Sequence, residues 1–174
     1  MPADPNNLAY AETVVETEVA LCLGANLGDR AATIRRAAAM LGAGSIRAAK
    51  LSTLLENPAW DCAPDAPSFL NAALVGRTLL SPRALLAACM AAEQQLGRDR
   101  RGGHHADRTI DIDIVLYGQV RVAEEDLVVP HPGLATRGFF LIPLAELVPQ
   151  WHVPGLGKTI RELTDELPEI DCAR

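Results

Sequence analysis

Short apolar runs alternate with amphipathic stretches along this chain, and glycine or proline marks most of the joins. Val19 to Leu23 is apolar and ends at Gly24, which predicts a short strand. Asp29 offers an N-cap for a helix carrying Ile34, Ala37, Ala38 and Leu41 on one face, stopped at Gly42 and Gly44. Ile46 to Leu55 predicts a strand. A loop holding Pro58, Pro64 and Pro67 follows, and then a second long strand from Phe69 to Leu79. Ser81 caps the next helix, with Pro82 at its first position, and its stripe of Leu85, Cys89, Ala92 and Leu96 faces a core until Gly97 ends it. The segment from Arg98 to Asp107 is polar and basic, contains Gly102 and Gly103, and predicts a mobile loop. Thr109 to Ile114 alternates strictly, as a strand does. Val128-Val129 leads into Pro130-His131-Pro132, a short helix covers Phe139 to Leu147, and an amphipathic helix runs from Thr159 to Leu167. The order β-α-β-β-α-β plus a C-terminal extension is the ferredoxin-like plan, so the expected class is α+β.

Composition narrows the partners. A chain of 174 residues with 49% apolar and 22% charged residues suits one globular domain. We expect residues 1–17 to be a loose tail and 18–174 a single domain. Met1 to Thr17 has neither a basic start nor a long apolar stretch, so neither a signal peptide nor a membrane span is expected. A net charge of −6 argues against duplex nucleic acid. The arginines are nevertheless gathered, at Arg98, Arg100, Arg101 and Arg108, as a phosphate ligand requires. Cys22, Cys62, Cys89 and Cys172 form no CxxC pair, so reduced thiols and a cytoplasmic protein are expected.

Asp111 and Asp113 are the strongest candidates for chemistry. Side chains two apart on a strand share a face ~6.5–7 Å apart, while Ile110, Ile112 and Ile114 turn to the core. Two neighbouring carboxylates repel, and a hard cation removes that penalty. Mg²⁺ takes one or two carboxylates together with substrate phosphates. The plain alternative is a solvated face of an edge strand. The arginine loop beside the pair tilts the reading toward triphosphate chemistry, which is mostly positioning and charge stabilisation. No G-x-x-x-x-G-K-[ST] occurs, so the chain has no P-loop. Gly24-Ala25-Asn26-Leu27-Gly28 reads as a tight strand-to-helix turn. His131 is stiffened by a proline on each side, and Arg137 stands within reach of the same ligand. His104 and His105 are adjacent and point apart, so they are not a zinc pair. Phe69 and Phe139 have the shape to clamp a flat ring, with Asn71 reading its edge, although both rings also suit a core.

These residues resemble the 6-hydroxymethyl-7,8-dihydropterin pyrophosphokinase family of folate biosynthesis, from about Val19 to about Val148. Four blocks carry the likeness: Leu23 to Asp29, Pro67 to Ala73, Leu96 to Arg100 leading to Arg108-Thr109-Ile110-Asp111-Ile112-Asp113-Ile114, and Pro130-His131-Pro132 with Arg137-Gly138-Phe139 and Pro143-Leu144. The resemblance implies a ferredoxin-like αβα sandwich with a mainly antiparallel sheet, and transfer of pyrophosphate from ATP to the pterin hydroxymethyl group, releasing AMP. It implies Asp111 and Asp113 as ligands of two Mg²⁺ ions, and Arg98 and Arg108 as the catalytic arginines. Glu93, Arg100, Arg101, His131 and Arg137 would contact ATP. Asn57, Pro58, Phe69, Asn71 and Phe139 would bind the pterin, Asn57 and Pro58 through their backbone. A monomer or weak homo-oligomer is expected, with no nucleic acid or membrane partner. Departures occur at His105, Ala106 and Asp107, where the family has Trp-Gly-Pro, and at Met90 and Asp61. A paralogue acting on another pterin-like acceptor and a non-catalytic binding module are the alternatives, and retention of both aspartates speaks against the second.

Overall fold

The computed structural model describes residues 15–58, 67–98 and 108–168. Most of Arg98 to Asp107, with Arg100, Arg101 and the departures His105, Ala106 and Asp107, lies outside those residues, as do Asp61, Cys62 and Cys172. The chain runs β1 (Thr17–Ala25), α1 (Arg30–Gly44), β2 (Arg47–Leu51), β3 (Leu55–Asn57), β4 (Phe69–Thr78), α2 (Pro82–Gln95), β5 (Asp111–Tyr117), β6 (Val122–Glu124), β7 (Leu127–Val129), α3 (Gly138–Leu147) and α4 (Ile160–Asp165). The main sheet has the order β2-β4-β1-β5, with β3 also paired to β4, and the pairings of β4 with β1, β2 and β3 and of β1 with β5 are antiparallel. That is the expected α+β ferredoxin-like arrangement.

The sheet separates two cores. Val19, Leu21 and Leu23 of β1 pack with Ile34, Leu41, Leu85 and Cys89 of α1 and α2. The alternate residues Ala20 and Cys22 pack with Phe140, Leu141 and Leu144 of α3 and with Ile160 and Leu163 of α4. Burial on both faces explains why β1 reads as one apolar run instead of an alternation. The ferredoxin-like part alone would cover only one face. The C-terminal extension supplies the second helical layer and completes an αβα sandwich.

Local chemistry starts and stops the elements as expected. Asp29 caps α1 by accepting from the Ala32 N–H at 3.0 Å, and Ser81 caps α2 with Pro82 next in line. Thr159 and Glu162 form a capping box on α4. The predicted strand Ile46–Leu55 is instead two strands. Between them the Ser52 hydroxyl accepts from the Ala73 N–H at 2.9 Å, and the Glu146 carboxylate accepts from the Thr53 N–H at 3.1 Å. One backbone bond remains, from the Ser52 N–H to the Ala73 carbonyl at 2.9 Å, and side-chain hydrogen bonds take the place of the rest. The hairpin of β6 and β7 was not expected. No helix among the described residues is long and apolar enough to cross a membrane.

Candidate functional site

Strand register builds the site. Gly24 on β1 lies between Asn71 on β4 and Asp111 on β5, and the next row on the same face is Ala73, Cys22 and Asp113. On the outer side of β4, Phe69 pairs with Asn57. Helix α3 covers the lower part of this face through Phe140, Leu141 and Leu144. Beyond the helix start the described residues form a cleft that is open at its mouth. Cys22, Gly24, Asn57, Phe69, Asn71, Arg108, Asp111, Asp113, Phe139 and Phe140 line it. The alternating isoleucines behave as expected, since Ile110, Ile112 and Ile114 are buried in the core on the other face.

One end of the cleft is charged. Both oxygens of Asp111 accept from guanidinium groups, Oδ1 from Arg98 and Oδ2 from Arg108. Arg98 also donates to Glu93, so a single guanidinium joins α2 to β5. Glu93 is only 2% exposed, and its Oε1 also accepts from the Ile112 N–H at 2.8 Å. In this state the Glu93 carboxylate therefore faces protein partners. Asp113 sits deeper than Asp111. Burial first, then the charges of Asp111 and Glu93, push its pKa well above the usual carboxylate range, and Arg108 and Arg98 offset part of that.

The other end is aromatic and amide-lined. Phe69 and Phe139 both face the cleft, with the Arg108 guanidinium 5.9 Å from the first ring and that of Arg137 5.8 Å from the second. Asn71 donates through Nδ2 to Oδ1 of Asn57, whose own Nδ2 donates to the Pro58 carbonyl at 2.8 Å. His131 follows the cis Val129–Pro130 bond and stacks edge-on against Phe140, 4.7 Å between centroids. Burial and the Arg137 charge lower its pKa to about 4. The Gly133 N–H donates to His131 Nδ1 at 3.0 Å, so the neutral ring carries its proton on Nε2.

Of the expected site residues, Asn57, Phe69, Asn71, Arg108, Asp111, Asp113 and Phe139 converge on the cleft, and Arg98 reaches it through Asp111. His131 and Arg137 sit behind Phe140 and Phe139. Pro58 touches the site through its carbonyl.

Some contributors were not foreseen. The Asn26 Oδ1 accepts from the Arg108 N–H at 2.7 Å, and its own N–H donates to the Arg108 carbonyl at 3.2 Å, so the first glycine-flanked turn anchors a site arginine. Arg30 donates to the Ser68 carbonyl at 2.7 Å and fixes the backbone next to Phe69. Cys22 forms the floor. Pro143 has no N–H for the Phe139 carbonyl four residues back, and the Cys22 Sγ lies 3.8 Å from that oxygen. The only sequence signal for this was a proline inside a helix four residues after a site aromatic.

Two hard carboxylates on one face suit Mg²⁺, which completes its shell with water and phosphate oxygens. Among the described residues no group of three or more His, Cys, Asp or Glu could hold a metal by itself.

The cleft thus joins a carboxylate-arginine end to an aromatic-amide end on an α+β fold. Residues 20–149 match the family 7,8-dihydro-6-hydroxymethylpterin-pyrophosphokinase. A 2-amino-4-hydroxy-6-hydroxymethyldihydropteridine pyrophosphokinase from Methylorubrum extorquens is 40% identical over 154 residues, covering 87% of this chain and 94% of that protein. One of the same name from Synechocystis is 34% identical over 86% of this chain and 74% of its own. A mitochondrial folate synthesis bifunctional protein from Arabidopsis thaliana is 36% identical, and the match covers 79% of this chain but only 26% of that protein. A Plasmodium falciparum HPPK-DHPS structure with pteroate shares the fold at TM-score 0.67 and 16% identity, over 90% of this chain and 44% of that one. The chain belongs to the 7,8-dihydro-6-hydroxymethylpterin-pyrophosphokinase family.

Proposed function

We propose that this cleft transfers pyrophosphate from ATP to 6-hydroxymethyl-7,8-dihydropterin, giving the pterin diphosphate and AMP, in folate biosynthesis. The observation that carries the reading is the row Asn71–Gly24–Asp111, which sets a ring-reading amide and a carboxylate on one sheet face, two strands apart. Phe69 and Phe139 hold the pterin ring between them, and Asn71 orients its edge. The hydroxymethyl group then points toward the aspartates. Asp111 and Asp113 would hold two Mg²⁺ ions, which when bound would supply charge neutralisation to the phosphates. Arg98 and Arg108 leave Asp111 for the triphosphate, where their fork matches phosphate oxygens. Glu93 places Arg98 for that exchange and so acts on ATP through it, while Arg100, Arg101, neutral His131 and Arg137 contribute at the nucleotide end. We place the reaction in the cytoplasm, in a monomer or weak homo-oligomer.

The test is a coupled assay with purified protein, MgATP and 6-hydroxymethyl-7,8-dihydropterin. AMP and pterin diphosphate in equal amounts are expected. Release of ADP, or no acceptor-dependent turnover, would refute the reading.

A further inference from the structure

We propose that the Asn57 side chain is a positioning residue that fixes which end of the Asn71 amide faces the cleft, so that the cleft takes a ring edge bearing a hydrogen-bond donor. This rests on the pterin reading above and goes beyond the backbone role that the resemblance assigns to Asn57.

A carboxamide turned by half a revolution keeps its shape and exchanges donor for acceptor, so an isolated Asn71 has no fixed polarity. Three groups in series remove that freedom here. The Pro58 carbonyl can only accept, and Asn57 Nδ2 donates to it at 2.8 Å. Asn57 Oδ1 is thereby turned away from Pro58 and accepts from Asn71 Nδ2. Asn71 Oδ1 is then left against β1, where a Cβ on Gly24 would stand 2.7 Å from it. Glycine at that point leaves room for the oxygen. Asn71 is 5% exposed, so a mismatched partner meets it with no water to repair the contact. The polarity of one proline carbonyl is thus passed through two amides to the ligand. A pterin presents its 2-amino group as a donor, whereas a lumazine has a carbonyl acceptor there.

The experiment uses the full chain with a non-hydrolysable MgATP analogue. Binding of 6-hydroxymethylpterin and 6-hydroxymethyllumazine is measured by calorimetry for the unaltered protein, Asn57→Ala and Asn57→Asp. The unaltered protein is expected to favour the pterin by at least about a hundredfold. In Asn57→Ala, Asn71 can rotate, and the preference should fall by about tenfold or more. Asn57→Asp keeps an acceptor toward Asn71 and should hold the preference to within about threefold. In ¹⁵N spectra of the unaltered, ligand-free protein, an Nδ2 proton of Asn71, assigned by its loss in Asn71→Ser, should be protected from solvent exchange. An unchanged preference in Asn57→Ala, or an unprotected Asn71 amide, would overturn the proposal. If neither ligand binds, the pterin reading fails, while the spectrum still decides the amide relay even where the Ala variant does not fold.

Discussion

Glu93 offers the sharpest separation between a nucleotide contact and an internal strut. Its Oε1 accepts from the Ile112 N–H at 2.8 Å and also from Arg98, and the side chain is almost fully buried. Glu93→Ala leaves the Ile112 N–H without that acceptor, which costs about 1–3 kcal/mol for a buried donor. It also removes one of the two carboxylates on Arg98 and opens a small void, together worth about a further 1–2 kcal/mol. A loss of about 2–5 kcal/mol follows, or a fall in Tm of about 4–20 °C for a chain of this size. Glu93→Gln can keep its carbonyl oxygen toward both donors and forfeits only charge, so about 1 kcal/mol is expected. The assay is urea unfolding of both variants with the slope checked for constancy, followed by direct ATP binding. A strut predicts the ordering Ala far below Gln in stability, with ATP affinity falling only as Arg98 loses its place. If Glu93→Ala costs less than about 1 kcal/mol, or Gln is as damaging as Ala, the argument fails. Intact stability with a selective loss of ATP binding would make Glu93 a direct nucleotide contact instead.

Asp111→Ala and Asp113→Ala should each abolish transfer and leave the protein folded, because Arg98 retains Glu93 and Arg108 retains its backbone hold on Asn26. Activity within about tenfold of the unaltered protein, ~1.4 kcal/mol of barrier, would sink the metal assignment. Phe69→Ala or Phe139→Ala removes one wall of the clamp and should raise the pterin KM by about five- to tenfold, the value of a lost aromatic stack of ~1–1.5 kcal/mol; an unchanged KM would exclude that ring. His131 has a folded pKa near 4 against an ordinary 6.5, so the unfolded chain binds more protons between those values. The His131 contribution to stability should therefore rise with pH from about 4 to about 6.5, against an opposite contribution from the raised Asp113 carboxyl, and His131→Gln should lower stability at pH 7 relative to pH 5 in urea titrations, compared with the unaltered protein. An identical slope in the variant would show that other groups set it.

Much of the fold was legible because its signals are local. Caps at Asp29 and Ser81 and the alternation around Asp111 each act within a few residues, and the structure returns them in place. The break between β2 and β3 was not legible, since Ser52 and Thr53 are held by Ala73 and by Glu146, which is 93 residues from Thr53. The site divides along the same line. Asp111 and Asp113 announce themselves by spacing, and Phe69, Asn71 and Phe139 by resemblance. Asn26 and Cys22 matter only because antiparallel register and a helix fold them under Arg108 and Phe139. Nothing in their own neighbourhood carries that information. The unlike surroundings of the two aspartates, one gripped by two arginines and one sunk beside them, are equally a product of tertiary packing.

Those surroundings bear on how an enzyme keeps such a site folded before its substrates arrive. Three carboxylates, Glu93, Asp111 and Asp113, stand close together in or beside a core and would repel if left alone. Arg98 and Arg108 restore near balance by lying on Asp111, with Arg98 shared to Glu93. Both Asp111 oxygens are thereby occupied, so any cation that takes this carboxylate competes with guanidinium groups. A triphosphate reverses that competition, because it offers the displaced arginines a better bidentate partner than one carboxylate. A cation alone must displace them without that compensation, whereas cation and triphosphate together exchange one set of pairs for another. Under the proposed reading, the charge layout of the cleft thus favours the joint arrival of metal and nucleotide.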